Sequence, residues 1–396
     1  MEEARVCYWV PDYYKHFACK GGDCRRSCCE GWPISMSMKD YFRLLGENCS
    51  PQLRRKLDVA LHLADSPSPE RYAQILPDWR GDCPLHRDDG LCMLHAECGE
   101  NALCDVCRLY PRSPRHFAPP ECACSNSCEH TLELLFARTS PLGFERLELP
   151  IPMPEAVTGV PEPVLRHYID LRRLCIDAMQ DRSQPLGRRI LRIGTMLKHV
   201  RHAFAALNES AIEAALQSIP DENSHAVPDD AFALSFLARF NAEVGMNSRS
   251  VRDYAAFAAE ALHIADGKPQ SDSRRRWLDA RREFRQAFPD WEIRFEQILV
   301  NHIFYESYPF SDRHENLWDE YLSLCAVCAY FSFLAITWTC AHPTEEALVD
   351  VVAAAFRLID HSAFDYNAAV ILERLGVTEA QLCGLVQGAL PETDRL

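Results

Sequence analysis

Apolar residues recur at helical spacing through most of the chain after residue 164. Three stripes have apolar side chains three or four positions apart: Ile193, Leu197, Val200, Phe204, Leu207; Trp291, Phe295, Ile298, Leu299, His302; and Leu348, Val351, Val352, Ala355, Ile359. This spacing places each set on one face of an α-helix. The segment 208–230 contains Pro220 and Pro228 and predicts a connection. The pattern therefore predicts a helical bundle in this part of the chain.

Leu322–Ala341 is a run of 20 residues without charge, which is enough to be weighed as a membrane span. Its content of Ser, Thr, Cys, Tyr and Trp is high for a lipid-facing helix. Neither flank carries a close cluster of Lys or Arg that would set a membrane topology. We therefore expect a buried core helix and no membrane insertion.

A proline-rich stretch separates two parts of different composition. Between residues 140 and 163 the prolines are Pro141, Pro150, Pro152, Pro154, Pro161 and Pro163, a density that prevents a continuous helix. We predict a cysteine-rich region over 1–140, a connection over 141–163 and a helical domain over 164–396. No G-x-G-x-x-G motif follows a strand pattern, so the fold class expected is mainly α without a Rossmann-type sheet.

The net charge and the first residues of the chain bear on its binding partners and its cellular compartment. The formal net charge is -15 and the pI is about 5.5, which disfavours nucleic acid as a partner because phosphate binding needs clustered Lys and Arg. The opening MEEARVCYWVPDYYK is acidic and lacks the apolar stretch of a secretory signal. We therefore expect a cytoplasmic protein.

Cysteine is concentrated near the start, with 14 of the 19 cysteines between Cys7 and Cys128. The spacings are Cys19-x4-Cys24-x3-Cys28-Cys29, Cys83-x8-Cys92, Cys98-x5-Cys104-x2-Cys107 and Cys122-x-Cys124-x3-Cys128. The cytosol keeps thiols reduced, so clustered cysteines there more often bind metal than form disulfides. The flanking stretches are rich in glycine and charge, which predicts loops folded around a metal.

The spacing favours an iron–sulfur cluster, with zinc as the alternative. Paired C-x2-C knuckles, which are typical of zinc ribbons, are missing except for Cys104-x2-Cys107, and the remaining thiols come from scattered positions. Four thiolates can hold one four-iron cluster. The candidate ligands are Cys24, Cys28, Cys29, Cys83, Cys92 and Cys107, with Cys19 and Cys128 as further candidates. Neighbouring Cys28 and Cys29 seldom both bind one ion, and the sequence does not choose between them.

The same residues resemble the signature of the flagellin lysine-N-methylases. The matching motifs are Phe17-x-Cys19-x-Gly21-x2-Cys24-x3-Cys28-Cys29-x-Gly31-Trp32-x-Ile34, Cys83-Pro84-Leu85, Asp89-Gly90-Leu91-Cys92, Gly99-Glu100, Cys107-Arg108-x-Tyr110-Pro111-Arg112 and Ser127-Cys128-Glu129. The second half contributes Leu299–Phe304, Phe310, Glu320-Tyr321-x-x-Leu324 and Ala355-x-Arg357. Arg25-Arg26, and the additional Cys98, Cys104, Cys122 and Cys124, depart from the family pattern.

This resemblance implies transfer of methyl groups from S-adenosylmethionine to lysine side chains of flagellin, with a 4Fe-4S cluster held by the cysteine motif. Aromatic rings and carboxylates suit a sulfonium and an ammonium, which makes Glu100 and Tyr110 candidate catalytic residues and Trp32 a candidate for cofactor binding. Arg112, which lies in the same motif as Tyr110, is a further cofactor-binding candidate. The plainer interpretations are that Trp32 is a core residue, Tyr110-Pro111 a turn and Glu100 a surface charge. The alternative function is a non-enzymatic zinc- or iron-binding adaptor.

Overall fold

The computed structural model describes residues 5–116, 119–153, 162–220, 228–311 and 316–391. Its strands are β1 (Val6–Pro11), β2 (Ile34–Met36), β3 (Leu61–Leu63), β4 (Ala73–Ile75), β5 (Arg112–Arg115), β6 (Glu121–Cys124), β7 (Phe144–Leu149), β8 (Ile264–Ala265) and β9 (Lys268–Pro269). The helices of the first part are α1 (Met38–Gly46), α2 (Pro51–Ala60), α3 (Met93–Cys98), α4 (Asp105–Leu109) and α5 (Glu129–Phe136).

The later helices supply most of the fold. They are α6 (Glu162–Met179), α7 (Leu186–Ala205), α8 (Glu209–Gln217), α9 (Asp230–Phe240), α10 (Arg252–Ala261), α11 (Ser273–Ala287), α12 (Trp291–Tyr305), α13 (Leu317–Ala341), α14 (Glu345–Asp360), α15 (Phe364–Arg374) and α16 (Glu379–Ala389). The described residues are thus mainly α-helical with small sheets, and none of those sheets is of the Rossmann type. The predicted fold class is confirmed.

The chain forms two compact units. The cysteine unit consists of Phe17–Ser113 and Cys128–His130, and the helical unit consists of Met1–His16, Pro114–Ser127 and Thr131–Leu396. This division differs from the predicted boundaries at 140 and 164. The reason is that β1 pairs with β6 in parallel and with β7 in antiparallel register, which ties early strands into the helical unit. Residues 154–161 of the predicted connection lie outside the described residues.

In the cysteine unit, short elements surround a small apolar core. Strands β2, β4 and β3 form an antiparallel sheet in that order, and α1 and α2 bury Leu44, Leu53 and Leu57. Ser37 and Ser50 begin α1 and α2 by accepting hydrogen bonds from Asp40 N and Leu53 N. The cysteine unit therefore contains short strands and helices as well as the predicted loops. These elements form the small core against which the cysteine loops pack.

The helical unit is built around α13, which packs against α7, α10, α11, α14, α15 and α16. Asn316 begins the helix by accepting hydrogen bonds from Trp318 N and Asp319 N. Helix α13 is long and apolar enough to cross a membrane, and 83% of its most apolar window is buried inside the protein. It is thus the buried core helix that the sequence predicted. Gly194 of α7 lies against the ring of Tyr321, so that any larger side chain would clash there.

All three predicted stripes lie on helices, α7, α12 and α14. Two details were wrong. Leu207 falls beyond the end of α7 with a left-handed backbone (φ 49°) and an exposed side chain. The predicted connection 208–230 contains α8, which Asn208 begins by accepting a hydrogen bond from Ala211 N.

Candidate metal centre and buried polar network

Three segments of the cysteine unit are joined by backbone hydrogen bonds, and each carries candidate ligands. Cys83 N donates to Cys29 O at 2.7 Å, and Gly31 N donates to Gly81 O at 2.9 Å. Met93 N donates to Leu85 O at 2.8 Å. These bonds bring Cys29, Cys83 and Cys92 together although 63 positions of sequence separate the first from the last.

Glycines allow a close approach of two further loops. Gly90 has a left-handed backbone (φ 77°), and a Cβ there would lie only 2.8 Å from the backbone of Gly22. A side chain on Gly22 would clash in turn with Asp89 O. The loop that precedes Cys24 therefore contacts the loop that precedes Cys92, because neither contact residue has a side chain.

Helix α4 adds two more thiols to this group. Cys104 stands at the N-cap of α4, and Cys107 lies in its first turn, where the two side chains share a hydrogen bond. Asp105 N donates to Asp40 Oδ2 at 3.2 Å, which fixes the start of α4 against α1. We call Cys28, Cys29, Cys83, Cys92, Cys104 and Cys107 the thiol cluster.

Burial keeps part of the thiol cluster protonated in the metal-free protein. Burial, together with neighbouring Cys29, Cys92 and Cys104, raises the pKa of Cys83 to about 12. The hydrogen bond from Cys28 lowers the pKa of Cys29. A thiolate is the form that binds metal, so a buried neutral thiol can become a ligand once an ion displaces its proton.

Cys19, Cys24 and Cys128 form a separate group around Glu129. The Glu129 carboxylate, which is buried, accepts hydrogen bonds from Lys20 Nζ at 2.7 Å and from Arg26 N at 3.1 Å. Burial raises the pKa of Cys24 to about 12, with Glu129, Cys128 and Cys19 adding to the effect. Of the two arginines that depart from the family pattern, Arg25 brings its guanidinium within 3.9 Å of this buried carboxylate, and Arg26 contributes its backbone N–H.

The structure brings only some of the other predicted site residues together. The rings of Trp32 and Tyr110 have centroids 5.6 Å apart. Arg112 lies over the ring of Phe17, with 4.9 Å between its guanidinium carbon and the ring centroid. Glu100 is exposed in a 3-10 turn, Glu100–Ala102. Trp32 and Tyr110 therefore form one aromatic pair, while Glu100 occupies a surface position.

Sequence reasoning placed Cys104 among the departures from the family pattern and did not include it among the ligand candidates. The structure buries its side chain to 2% exposure within the thiol cluster. The available signal was its C-x2-C spacing with Cys107, which places one thiol at the N-cap and the other in the first turn of the same helix.

The helical unit contains a buried polar network that the sequence did not predict either. Asn301 Nδ2 donates to Cys124 O at 2.9 Å and to Asn126 Oδ1 at 2.8 Å, and Tyr13 Oη donates to Asn301 Oδ1 at 2.8 Å. Asn126 Nδ2 donates to Ile298 O at 3.0 Å. Asn301 is fully buried, so each of these bonds replaces water that the amide has lost.

Serine, histidine and aspartate residues form a second part of this network. Ser125 Oγ donates to Asp360 Oδ2 at 2.5 Å, and Ser127 Oγ lies 2.9 Å from His361 Nε2. His302 Nδ1 lies 3.5 Å from Asp360 Oδ1. Burial lowers the pKa of His302, but the Asp360 carboxylate outweighs it and the pKa is raised. The signal in the sequence was Asn301-His302 inside an otherwise apolar helix.

Donor chemistry supports a thiolate-bound iron–sulfur group at the thiol cluster. Six soft sulfur donors lie within one small unit, and four suffice for a four-iron cluster. The backbone bonds between residues 29 and 83 and between 85 and 93 hold the donor loops together independently of any metal. The residues present therefore fit the group that the resemblance implies.

Comparison with known proteins identifies one family model and several relatives. A family model described as the FliB lysine N-methylase C-terminal domain matches residues 172–376. The lysine-N-methylase of Salmonella choleraesuis is 30% identical over 104 residues, which are 26% of this chain and 25% of that protein. The flagellar biosynthetic protein FliU of Salmonella muenchen is 29% identical over 104 residues, 26% of this chain and 60% of that protein.

A lysine-N-methylase of Salmonella typhimurium is also 29% identical over 104 residues, which cover 25% of its length. The chain thus spans about a quarter of each of the two lysine-N-methylases that it matches. No solved structure matches. The residues matched by the family model include Asn301, His302 and Asp360 and exclude the thiol cluster.

Proposed function

The chain belongs to the FliB lysine N-methylase family, and from this premise we propose that it is a protein-lysine N-methyltransferase that uses S-adenosylmethionine and depends on an iron–sulfur cluster. The observation that carries the proposal is the thiol cluster, in which six cysteines from three joined segments and one helix start lie together. A protein of this family with such donors is best explained as a metal-dependent methylase.

Four members of the thiol cluster would hold the iron–sulfur group, with Cys29, Cys83, Cys92 and Cys107 as the proposed ligands. Cys104 and Cys28 share hydrogen bonds with Cys107 and Cys29, and they would orient these ligands. When bound, a cluster of this type supplies a one-electron redox centre and braces the loops that carry its ligands. Cys19, Cys24 and Cys128 are further candidates around Glu129.

Methyl transfer requires a neutral amine in line with the sulfonium methyl group. A free lysine has a pKa of about 10.4, so the site must favour loss of the ammonium proton before attack. The nitrogen lone pair then forms the new C–N bond, while the C–S bond breaks and sulfur keeps its electrons. We propose that the Trp32 and Tyr110 rings contact the sulfonium. Glu100 is the proposed proton acceptor, the Tyr110 hydroxyl the proposed hydrogen-bond acceptor for the amine, and Arg112 the proposed cofactor contact.

Flagellin is the proposed substrate, and the cytoplasm is the proposed compartment. The name of the Salmonella muenchen relative refers to flagellar biosynthesis, which supports a flagellar protein as substrate. Reduced thiols are needed for metal binding, which supports a reducing compartment.

The cofactor is tested by anaerobic purification followed by assay of iron, sulfide and zinc with the visible and EPR spectra. We expect iron and sulfide in matching amounts, and we expect Cys83→Ser to lose more than half of both. Cys7→Ser is the matched control, because Cys7 is exposed on β1 and outside the thiol cluster. Stoichiometric zinc in a colourless protein would instead favour the adaptor.

Activity is tested with isotopically labelled S-adenosylmethionine and purified flagellin, followed by peptide mass spectrometry. We expect labelled methyl groups on flagellin lysines, and at least tenfold slower transfer by Trp32→Ala and by Tyr110→Phe. Transfer to an unrelated lysine-rich protein at the same rate would refute flagellin as the specific substrate. Absence of transfer by the iron-loaded protein would refute the methylase assignment itself.

A further inference from the structure

A histidine and two glutamates of the helical unit form a group outside the thiol cluster and the buried polar network. One ligand atom from each of His167, Glu209 and Glu213 lies within 4.8 Å of the other two. His167 belongs to α6, and the glutamates belong to α8, where a spacing of four residues places them on one face. The three side chains therefore converge from two packed helices.

The chain positions α8 through a short turn. The left-handed backbone of Leu207 redirects the chain after α7, and Asn208 Oδ1 accepts a hydrogen bond from Ala211 N at 3.0 Å. This cap fixes Glu209 as the first residue of the helix. The position of both carboxylates is thus set by backbone geometry.

His167 is the observation that points to a ligand. It is 8% exposed, and both ring nitrogens are buried without a hydrogen-bond partner among the described residues. On its own helix, the carboxylate of Asp170 has its Oδ2 3.6 Å from Nδ1. A buried imidazole normally satisfies at least one nitrogen, and an unsatisfied polar group costs about 1–3 kcal/mol. A bound ion would supply the missing partner.

The charge around the site favours a cation. Three carboxylates, Asp170, Glu209 and Glu213, surround the imidazole. Arg166 opposes them, because its guanidinium contacts Glu209 Oε1 at 2.7 Å. That pair is well exposed, with 69% and 40% of the two side chains accessible, so it contributes little and can give way to a bound ion.

We propose that His167, Glu209 and Glu213 bind a divalent first-row transition ion of the Mn²⁺ to Zn²⁺ series. One imidazole with carboxylate oxygens is a donor set that such ions accept, whereas the thiol cluster selects softer metals. The bound ion would join α6 to α8 and stabilise this corner of the helical unit.

Manganese is the probe, because it prefers oxygen and imidazole ligands and binds thiolates weakly. The full chain with its iron–sulfur centre intact is titrated with Mn²⁺, and the free-ion EPR signal gives the affinity. We expect one Mn²⁺ per chain, and pulsed EPR should detect coupling to an imidazole nitrogen. Zn²⁺ should displace the Mn²⁺, since zinc lies higher in the affinity order.

Two variants locate the ion. Glu213→Gln should weaken Mn²⁺ binding at least tenfold, and it should fold normally because Glu213 is exposed. His167→Gln should remove the nitrogen coupling. Glu260→Gln, an exposed control on α10, should leave both unchanged. Absence of stoichiometric binding, or binding that neither variant alters, would overturn the proposal.

Discussion

Glu320 is a carboxyl group in the core of the helical unit, 5% exposed, that accepts hydrogen bonds from the backbone and hydroxyl of Ser311. Burial raises its pKa from the ordinary 4.5 to about 8, and nearby Asp365 and Glu306 add to the rise. The folded protein therefore holds this proton more tightly than the unfolded chain does. Its contribution to stability is complete below pH 4.5 and is lost as the pH rises through about 8.

Glu320→Gln should remove this pH dependence, because glutamine accepts the same hydrogen bonds without a titrating proton. A tenfold change in proton affinity corresponds to about 1.4 kcal/mol. We expect the variant and the wild type to differ little at pH 5, and the variant to gain a few kcal/mol relative to the wild type by pH 8.5. Thermal unfolding followed by circular dichroism across this range measures the difference. Glu260→Gln should leave the wild-type slope intact, and a parallel slope for Glu320→Gln would contradict the assignment.

At the residue scale, the sequence predicted which residues belong to a site more successfully than it predicted which residues they contact. The cysteine spacing identified Cys29, Cys83 and Cys92 as candidate ligands, and the structure places them together. It did not identify Cys104 as a member, or the Ser125 to Asp360 contact, which joins residues 235 positions apart. Such contacts depend on how segments fold against each other, and no local pattern of the sequence encodes that.

Helices were predicted well where an apolar stripe was long, as in α7, α12 and α14. Helix α8 was missed because flanking Pro220 and Pro228 suggested a connection, although Asn208 followed by an alanine-rich segment carries the start signal of a helix. Binary pattern identifies a helix that buries one face, and it gives a weaker signal for a short helix of which only Ile212 is buried. The packing between helices was not predictable, since it depends on individual long-range pairs.

One such pair joins α7 to α12. Arg189 Nη1 donates to Glu296 Oε2 at 2.8 Å, with both side chains at most 2% exposed, and Arg182 binds the other carboxylate oxygen at 2.7 Å. Removing one partner of a buried pair leaves the other charge without compensation.

We therefore expect Glu296→Ala to lower the free energy of unfolding by about 3–5 kcal/mol, measured by urea denaturation. Glu292→Ala is the matched control, since Glu292 is partly exposed and lies 3.3 Å from the same Arg189. Its cost should stay below about 1 kcal/mol. If both variants lower the free energy of unfolding by the same amount, the buried pair contributes no more to stability than the partly exposed one.

At the scale of the whole molecule, two compact units are built from interleaved parts of the chain. The helical unit has an extensive apolar core around α13, whereas the cysteine unit has short helices and three-residue strands around a small core. Small units of this kind gain much of their stability from bound metal, because the free energy of metal binding becomes free energy of folding. Removal of the proposed iron–sulfur group should therefore affect the two units differently.

Anaerobic treatment with an iron chelator should loosen the cysteine unit and leave the helical unit intact. In hydrogen exchange followed by mass spectrometry, we expect peptides covering residues 28–34, 81–94 and 104–110 to exchange at least tenfold faster. Peptides from α12 and α13 should keep their protection, because their core contains no proposed ligand. Cys83→Ser, already short of iron, should show fast exchange in the same peptides before the chelator is added. Uniform exchange changes across α13 and the thiol cluster would mean that the metal supports the whole fold, and unchanged exchange everywhere would mean that the thiol cluster does not depend on metal for its structure.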